Sequence, residues 1–336
     1  MSTDKRVWAI IGDKLGDNAQ VRTVAAALPW PVEEKQLTFW KPFRRGKPWF
    51  LSSLYHVDKR ASAPLAPPWP DLILTIGRRP AMAALWTKRQ SGGRARLAIF
   101  GPPKGFASQF DLIVVPAQYK AANHAALLRL DLPLLPLNRA QVDAAREGWR
   151  ERLGRLPRPL TAVLVGGATQ PFVFDEAVAQ QLVRDVVNAT QSAQGGGTLY
   201  FTTSRRTRPN AADALQRALP ANALLHRWQA GGGEENPYLG LLGLADRFVV
   251  TGDSVSMLVE VARLGSPLAI FGLPVRRRLL RGEHNEKRRD LSAIHEVLFS
   301  TGRAVHLGEP FPSSRPPDET LPGLTEVVRR VRALIE

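Results

Sequence analysis

Val249-Val250-Thr251-Gly252-Asp253-Ser254-Val255-Ser256-Met257-Leu258-Val259-Glu260 reads as a buried strand, a glycine turn and a helix in immediate succession. The apolar run before Gly252 suits a strand covered on both faces, and Asp253 or Ser254 can cap the helix that follows. The first N–H groups of such a helix have no partner inside it and form an anion site. Ser256 and Glu260 are four residues apart and share a helix face. A carboxylate one turn in from a phosphate site, with Ser256 and Met257 ahead of it, is placed to accept hydrogen bonds from a ribose diol. The plainer alternative for Glu260 is a solvated helical carboxylate.

The same construction recurs on either side. Strands are expected at Val7–Ile11, Asp71–Ile76, Arg96–Phe100 and Asp111–Val115, and again at Leu160–Val165, Thr198–Thr202, Arg247–Val250 and Pro267–Phe271. Helical periodicity follows at Asn18–Leu28, Ala81–Arg89, Val142–Leu153, Glu176–Gln191, Asn210–Leu219, Pro237–Leu244, Ser254–Leu264 and Glu286–Phe299. Short apolar runs alternating with longer helical segments predict parallel sheets with helical crossovers, an α/β fold of two Rossmann-like domains. The prolines between Leu132 and Pro159 place a boundary near residue 155, giving domains 1–154 and 155–310. Residues 311–336 then form a tail whose helix, about Leu321 to Ile335, packs back.

Three other loops follow apolar strands, where ligands of doubly wound domains collect. Gly12-Asp13-Lys14-Leu15-Gly16-Asp17-Asn18-Ala19-Gln20 places two carboxylates, Asp13 and Asp17, in one turn. It is neither a dinucleotide fingerprint, since Asn18 stands where a third glycine is needed, nor a Walker loop, and Asp17 or Asn18 can cap the next helix. Gly166-Gly167-Ala168-Thr169 would leave backbone N–H groups open to phosphate oxygens. Thr202-Thr203-Ser204-Arg205-Arg206-Thr207 offers hydroxyls and two guanidinium forks to a diphosphate, or is a solvated turn. The Tyr55/Lys59 pair has the spacing of short-chain reductases but precedes the second expected strand, far from where that chemistry places it.

Composition narrows the function classes. In 336 residues there is no Cys, which excludes disulfides and thiolate chemistry, and the six His show no zinc spacing, so no metal is expected. No apolar run approaches a bilayer span, and Val7–Ile11 is too short for a signal-peptide core, so an untargeted cytoplasmic protein is expected. Lys and Arg total 46 against 30 Asp and Glu, a net charge of +16 that favours anionic partners. Arg44-Arg45-Gly46-Lys47, Arg276–Arg278 with Arg281, and Lys287–Arg289 concentrate it; the Arg276–Arg281 cluster is expected to face a membrane or a phosphorylated acceptor. Nucleic acid is not expected, because no recognition helix, zinc module or stacking platform is visible.

GDKLGDNAQ, FTTSRRT, NPYLGLLGLAD and VVTGDSVSMLVEVARLGSPLAIF resemble bacterial relatives of the plant elongated-mitochondria fission factor family, over most of the chain. More distantly, the same segments are similar to the lipid II N-acetylglucosaminyltransferase and the GT-B fold, two Rossmann-like domains facing a cleft. That resemblance implies a donor site in the C-terminal half for a nucleotide-diphosphate sugar, with no other cofactor. It puts Asp17 at the polar catalytic position, Gly166 and Gly167 on the phosphate loop and Glu260 on the ribose. The chain departs from the pattern where Ala168-Thr169-Gln170 lacks a further glycine and where Asp13 and Asp17 stand for a glycine and a histidine.

The expected activity is metal-independent, inverting transfer from a nucleotide-diphosphate sugar. Asp17 or Asp13 would be general base, and Arg205, Arg206 and the amides of Ser254–Met257 would stabilise the departing diphosphate. A lipid-linked acceptor at the inner membrane face would be a cell-envelope substrate within reach of the basic loops. The alternative implied by the plant family is a non-catalytic adaptor that recruits a protein partner on the same fold.

Overall fold

The computed structural model describes residues 5–44, 52–103, 107–121, 123–191, 197–231, 235–275 and 290–336. The basic clusters at 45–47, 276–281 and 287–289, and the first residues of the helix expected from Glu286, lie outside them. The chain divides into two units. The first holds the described residues up to Pro136, Asp290, and those from Thr320 on; the second holds the described residues from Leu137 to Val275 and from Leu291 to Glu319.

In the first unit the elements run β1 (Val7–Ile11), α1 (Leu15–Ala26), β2 (Val32–Gln36), α2 (Lys41–Arg44), β3 (Leu72–Ile76), α3 (Arg78–Gln90), β4 (Arg96–Phe100), β5 (Leu112–Pro116) and β6 (Leu127–Leu130). All strand pairs are parallel, in the order β2-β1-β3-β4-β5-β6. Successive residues of a strand face opposite sides. In β1, Val7, Ala9 and Ile11 pack with Val21 and Val24 of α1, while Trp8 and Ile10 pack with Ala81–Leu85 of α3. Both faces are covered, which is why β1 carries no polar alternation.

The second unit runs α4 (Arg139–Gly154), β7 (Leu160–Leu164), α5 (Glu176–Gln191), β8 (Thr198–Thr202), α6 (Pro209–Ala218), β9 (Leu224–His226), α7 (Tyr238–Leu244), β10 (Arg247–Thr251), α8 (Val255–Leu264), β11 (Leu268–Phe271), α9 (Ser292–Ser300) and β12 (Val305–His306). Its parallel sheet is ordered β12-β11-β10-β7-β8-β9. Counted from β7, this is the 3-2-1-4-5-6 order of the dinucleotide-binding fold. The last helix, α10 (Leu324–Arg332), returns to the first unit, where Val327 and Val331 join the core on the α1 side of the sheet.

Three sequence expectations change. α1 begins at Leu15, not Asn18, so Asp17 lies in its first turn and neither Asp17 nor Asn18 is its cap. Four strands absent from the sequence reading, β2, β6, β9 and β12, occupy the sheet edges. The division falls at Pro136 because α4 packs along α7 in the second unit. Two glycines of α7 allow that approach: a Cβ at Gly240 would lie 2.4 Å from Trp149 Cγ, and one at Gly243 would lie 2.8 Å from Arg146 Cβ.

Alanine is the better helix former by about 1 kcal/mol, yet Gly240→Ala forces a methyl into the Trp149 ring. Overpacking of this kind costs about 1–3 kcal/mol, so the expected outcome is a lower urea midpoint at unchanged m value. A midpoint equal to or above that of the parent would contradict the close α4–α7 contact.

Candidate functional site

In the second unit the chain leaves β7 and β10 toward opposite edges of the sheet, so their carboxyl ends flank the switch point where open α/β sheets bind ligands. Asp253 lies at its centre, with its side chain fully buried. Gly167 N–H donates to Asp253 Oδ2 at 3.0 Å, the Thr169 hydroxyl donates to the same oxygen at 3.2 Å, and the Thr251 hydroxyl donates to Oδ1 at 2.8 Å. Gly166 N–H donates to Thr251 Oγ1 at 2.8 Å. The glycine amides, read from sequence as open to phosphate, are therefore engaged by the protein's own carboxylate and hydroxyl. Glycine is needed here for close approach: a Cβ at Gly166 would lie 2.4 Å from Asp253 Oδ1, and one at Gly167 would lie 2.2 Å from the Arg206 carbonyl oxygen. Burial raises the Asp253 pKa, opposed by the Arg206 charge and by the three hydrogen bonds.

Around this buried anchor sits a cationic rim. Arg206 Nη1 donates to Thr169 Oγ1 at 2.8 Å and Nη2 to Ser254 Oγ at 3.1 Å, with Asp253 Oδ2 3.4 Å away. The Arg206 side chain remains 43% exposed. Ser204 turns inward and donates to the Gly166 carbonyl at 2.7 Å, whereas Arg205 is exposed. Ser254 is the N-cap residue of α8 but makes no side-chain capping bond, because its hydroxyl accepts from Arg206. The intrahelical ladder begins with Leu258 N–H to Ser254 O at 3.0 Å, so the amides of Val255, Ser256 and Met257 precede it. Ser256 is exposed.

One turn further along α8, Glu260 is half-buried, and Tyr238 Oη donates a hydrogen bond to its Oε2. Burial raises the Glu260 pKa, while the Tyr238 bond and the Arg263 charge act against it. Burial and the Glu260 charge push the Tyr238 phenol well above its usual range. On the other side of the β10–α8 turn, His295 Nε2 lies 2.7 Å from the Gly252 carbonyl oxygen, and burial lowers its pKa. Sequence spacing points to neither Tyr238 nor His295, since one reaches Glu260 from α7 and the other reaches the Gly252 carbonyl from α9. Trp228, two residues past β9, donates its backbone N–H to Thr203 Oγ1 at 2.8 Å, and its side chain is partly exposed.

The glycine loop of the first unit flanks that sheet's own switch point, between β1 and β3. Asn18 is buried and donates to the Gly12 carbonyl at 2.7 Å, as does Gln36 from β2. Asp13 Oδ1 accepts from Arg79 Nη2 at 2.8 Å, and that guanidinium lies over the Phe39 ring at 4.8 Å. Asp17 Oδ2 is 3.7 Å from Lys14 Nζ. Both candidate bases thus face a cation. The structure gathers Thr169, Ser204, Arg206, Asp253 and Ser254 into one network within the second unit; Asp13 and Asp17 belong to the first. Among the described residues no three His, Asp or Glu side chains converge in metal-binding geometry, and no helix is long and apolar enough to cross a membrane.

Comparison with known proteins fits this architecture. A UDP-N-acetylglucosamine 2-epimerase candidate from Listeria monocytogenes superposes with a TM-score of 0.50 at 11% identity, covering 91% of this chain and 84% of its own. The likeness carries the fold, two Rossmann-like domains of the GT-B kind. An uncharacterized protein of Rickettsia prowazekii strain Madrid E is 26% identical over 301 residues, 80% of this chain and 83% of that protein. The mitochondrial fission protein ELM1 of Arabidopsis thaliana is 30% identical over 133 residues, 40% of this chain but only 30% of the plant protein's length. The model of the family described as Mitochondrial fission ELM1 matches residues 16–317, and the chain belongs to that family.

Proposed function

We propose that the second unit binds a nucleotide-diphosphate sugar and that the protein is a metal-independent, inverting glycosyltransferase. The observation that carries this reading is the Arg206 guanidinium, held half-exposed between Thr169 and Ser254 at the start of α8. A diphosphate there would meet a cation, the Ser254 hydroxyl and the amides of Ser256 and Met257, with Arg205 beside them. Glu260 would accept from the ribose diol. In the reaction, Asp17 or Asp13 takes the proton of an acceptor hydroxyl as its oxygen bonds to the anomeric carbon. The bond from that carbon to the diphosphate breaks, and the leaving charge is met by Arg205, Arg206 and the helix terminus. The acceptor in this reading is lipid-linked, and the protein sits peripherally on the inner membrane face.

Asp253 has a different part. It is an internal anchor that joins the β7 and β10 loops and orients Arg206, not a contact for the donor. The rival reading is a non-catalytic adaptor on the same fold. Two observations favour it: the Gly166 and Gly167 amides are occupied by Thr251 and Asp253, and Asp13 is committed to Arg79. Calorimetric titration with UDP-, GDP- and ADP-linked sugars separates the two. Saturable binding of one supports the enzyme, and a flat panel supports the adaptor.

Within the enzyme reading, Arg206→Gln removes a charge-assisted contact of about 1.5–3 kcal/mol and should weaken donor binding about 10- to 150-fold. Asp17→Asn should lower turnover by about 10²- to 10⁴-fold at unchanged donor affinity. If only Asp13→Asn does so, Asp13 is the base.

Asp253→Ala would strand buried donors at about 1–3 kcal/mol each. It should lower the melting temperature well below that of Asp253→Asn, whose amide oxygen still accepts. Equal melting temperatures for the two variants would remove Asp253 from the anchor role.

A further inference from the structure

The segment NPYLGLLGLAD carries part of the family resemblance but has no role in the site as described. Its tyrosine supplies one. Tyr238 opens α7, and its backbone N–H is held by Asn236 Oδ1 at 3.0 Å. Behind it, Gly240 and Gly243 seat α7 against Trp149 and Arg146 of α4, so the phenol projects from a tightly seated helix. It crosses to α8 and donates to one oxygen of Glu260, Oε2. A half-buried glutamate with several rotatable bonds would otherwise sample several rotamers and resist ionisation.

We propose that Tyr238 is the positioning residue for Glu260, fixing one carboxylate oxygen so that the other is presented, ionised, to a ribose diol. This rests on the nucleotide reading of the second unit. The phenol does not touch the reacting atoms; it acts through the carboxylate.

The charged and titratable groups around Glu260 set the direction of the test. Tyr238 of α7 and Arg263 of α8 both favour its ionised form, and burial opposes it. Arg263 is itself surrounded by Asp318, Arg139 and Arg303. A diol donates hydrogen bonds to the carboxylate, so binding strengthens as pH rises through the Glu260 midpoint. Removing the phenol moves that midpoint upward. At a fixed pH below it, less of the protein is competent.

The experiment compares the parent with Tyr238→Phe, Glu260→Gln and Glu260→Ala. Tyr238→Phe keeps the ring that packs α7, and a thermal melt checks that the fold survives. Glu260 is titrated by the ¹³C shift of its side-chain carboxyl in glutamate-labelled protein, assigned by its disappearance in Glu260→Gln. Affinities for UDP-N-acetylglucosamine, GDP-mannose and ADP-glucose are measured by calorimetry from pH 5 to 8, where these diphosphate esters do not titrate. In Tyr238→Phe the expected result is a higher carboxyl midpoint. For whichever sugar nucleotide binds, the affinity loss should be about 3- to 10-fold at the low end of the range and shrink as pH rises. Glu260→Gln should bind with little pH dependence. An unmoved midpoint, or a loss in Tyr238→Phe that is equal at every pH, overturns the positioning role while leaving the nucleotide reading intact. Equal affinity in parent and Glu260→Ala overturns the ribose contact of Glu260, and with it the positioning role, although binding itself still supports the nucleotide reading. No binding of any of the three nucleotides overturns the nucleotide reading, and with it the use of the pair, even if the midpoint moves.

Discussion

A carboxylate with no access to solvent has to be answered from inside the protein, and Asp253 is answered from its own turn and from two loops distant in sequence. Gly167, Thr169 and Thr251 donate to it, and the Arg206 guanidinium lies against it. An uncompensated buried charge costs several kcal/mol, so these partners are not optional decoration. Their demands account for the local sequence. Gly166 and Gly167 have no room for a side chain, Thr251 places its hydroxyl between Gly166 N–H and Asp253, and Gly252 lies against His295. What remains facing outward is the half of Arg206 that the network does not consume, together with the start of α8.

That arrangement separates two tasks often carried by one loop. In many phosphate-binding turns the glycine amides themselves cradle the anion. Here the protein has filled that position with its own anion and displaced the cationic surface toward the Arg206 and Ser254 side. The separation explains how both readings of the family can share one fold. The anchor keeps the β7 and β10 turns assembled whether or not a ligand arrives, so the architecture does not depend on turnover. In the first unit the Asp13–Arg79 pair over Phe39 likewise ties a carboxylate into the local structure.

Legibility from sequence followed burial. Each of the eight strands recognised in advance lies inside its sheet, where cover on both faces produces runs such as Val7–Ile11 without polar interruption. The strands that escaped are the four at the edges. Val32–Gln36 carries Glu33, Glu34, Lys35 and Gln36, as an edge exposed to water permits, and Val305–His306 is two residues long. The start of α1 was missed because Asn18 looks like a cap while its amide in fact folds back to Gly12. At the site, the turn from Gly252 to Glu260 could be read, since strand, glycine and helix follow one another directly. The fate of the Gly166 and Gly167 amides could not, because their partners lie more than eighty positions further on. Nor could Tyr238, whose meaning depends on two helices being brought together.

The return of α10 to the first unit bears on how the protein is made. Val327 and Val331 are fully buried in the core that also contains Val7, Ile11 and Val24. Synthesis is directional, and domains generally fold as units as they emerge. The second unit can close its sheet once β12 has left the ribosome, but the first, although started earlier, still lacks part of its apolar cover. Its sheet must wait with the α10 side incomplete until residue 331 is available. The unit that begins to emerge earlier is therefore the one finished later, and in the interval its uncovered apolar face is a natural client surface for chaperones.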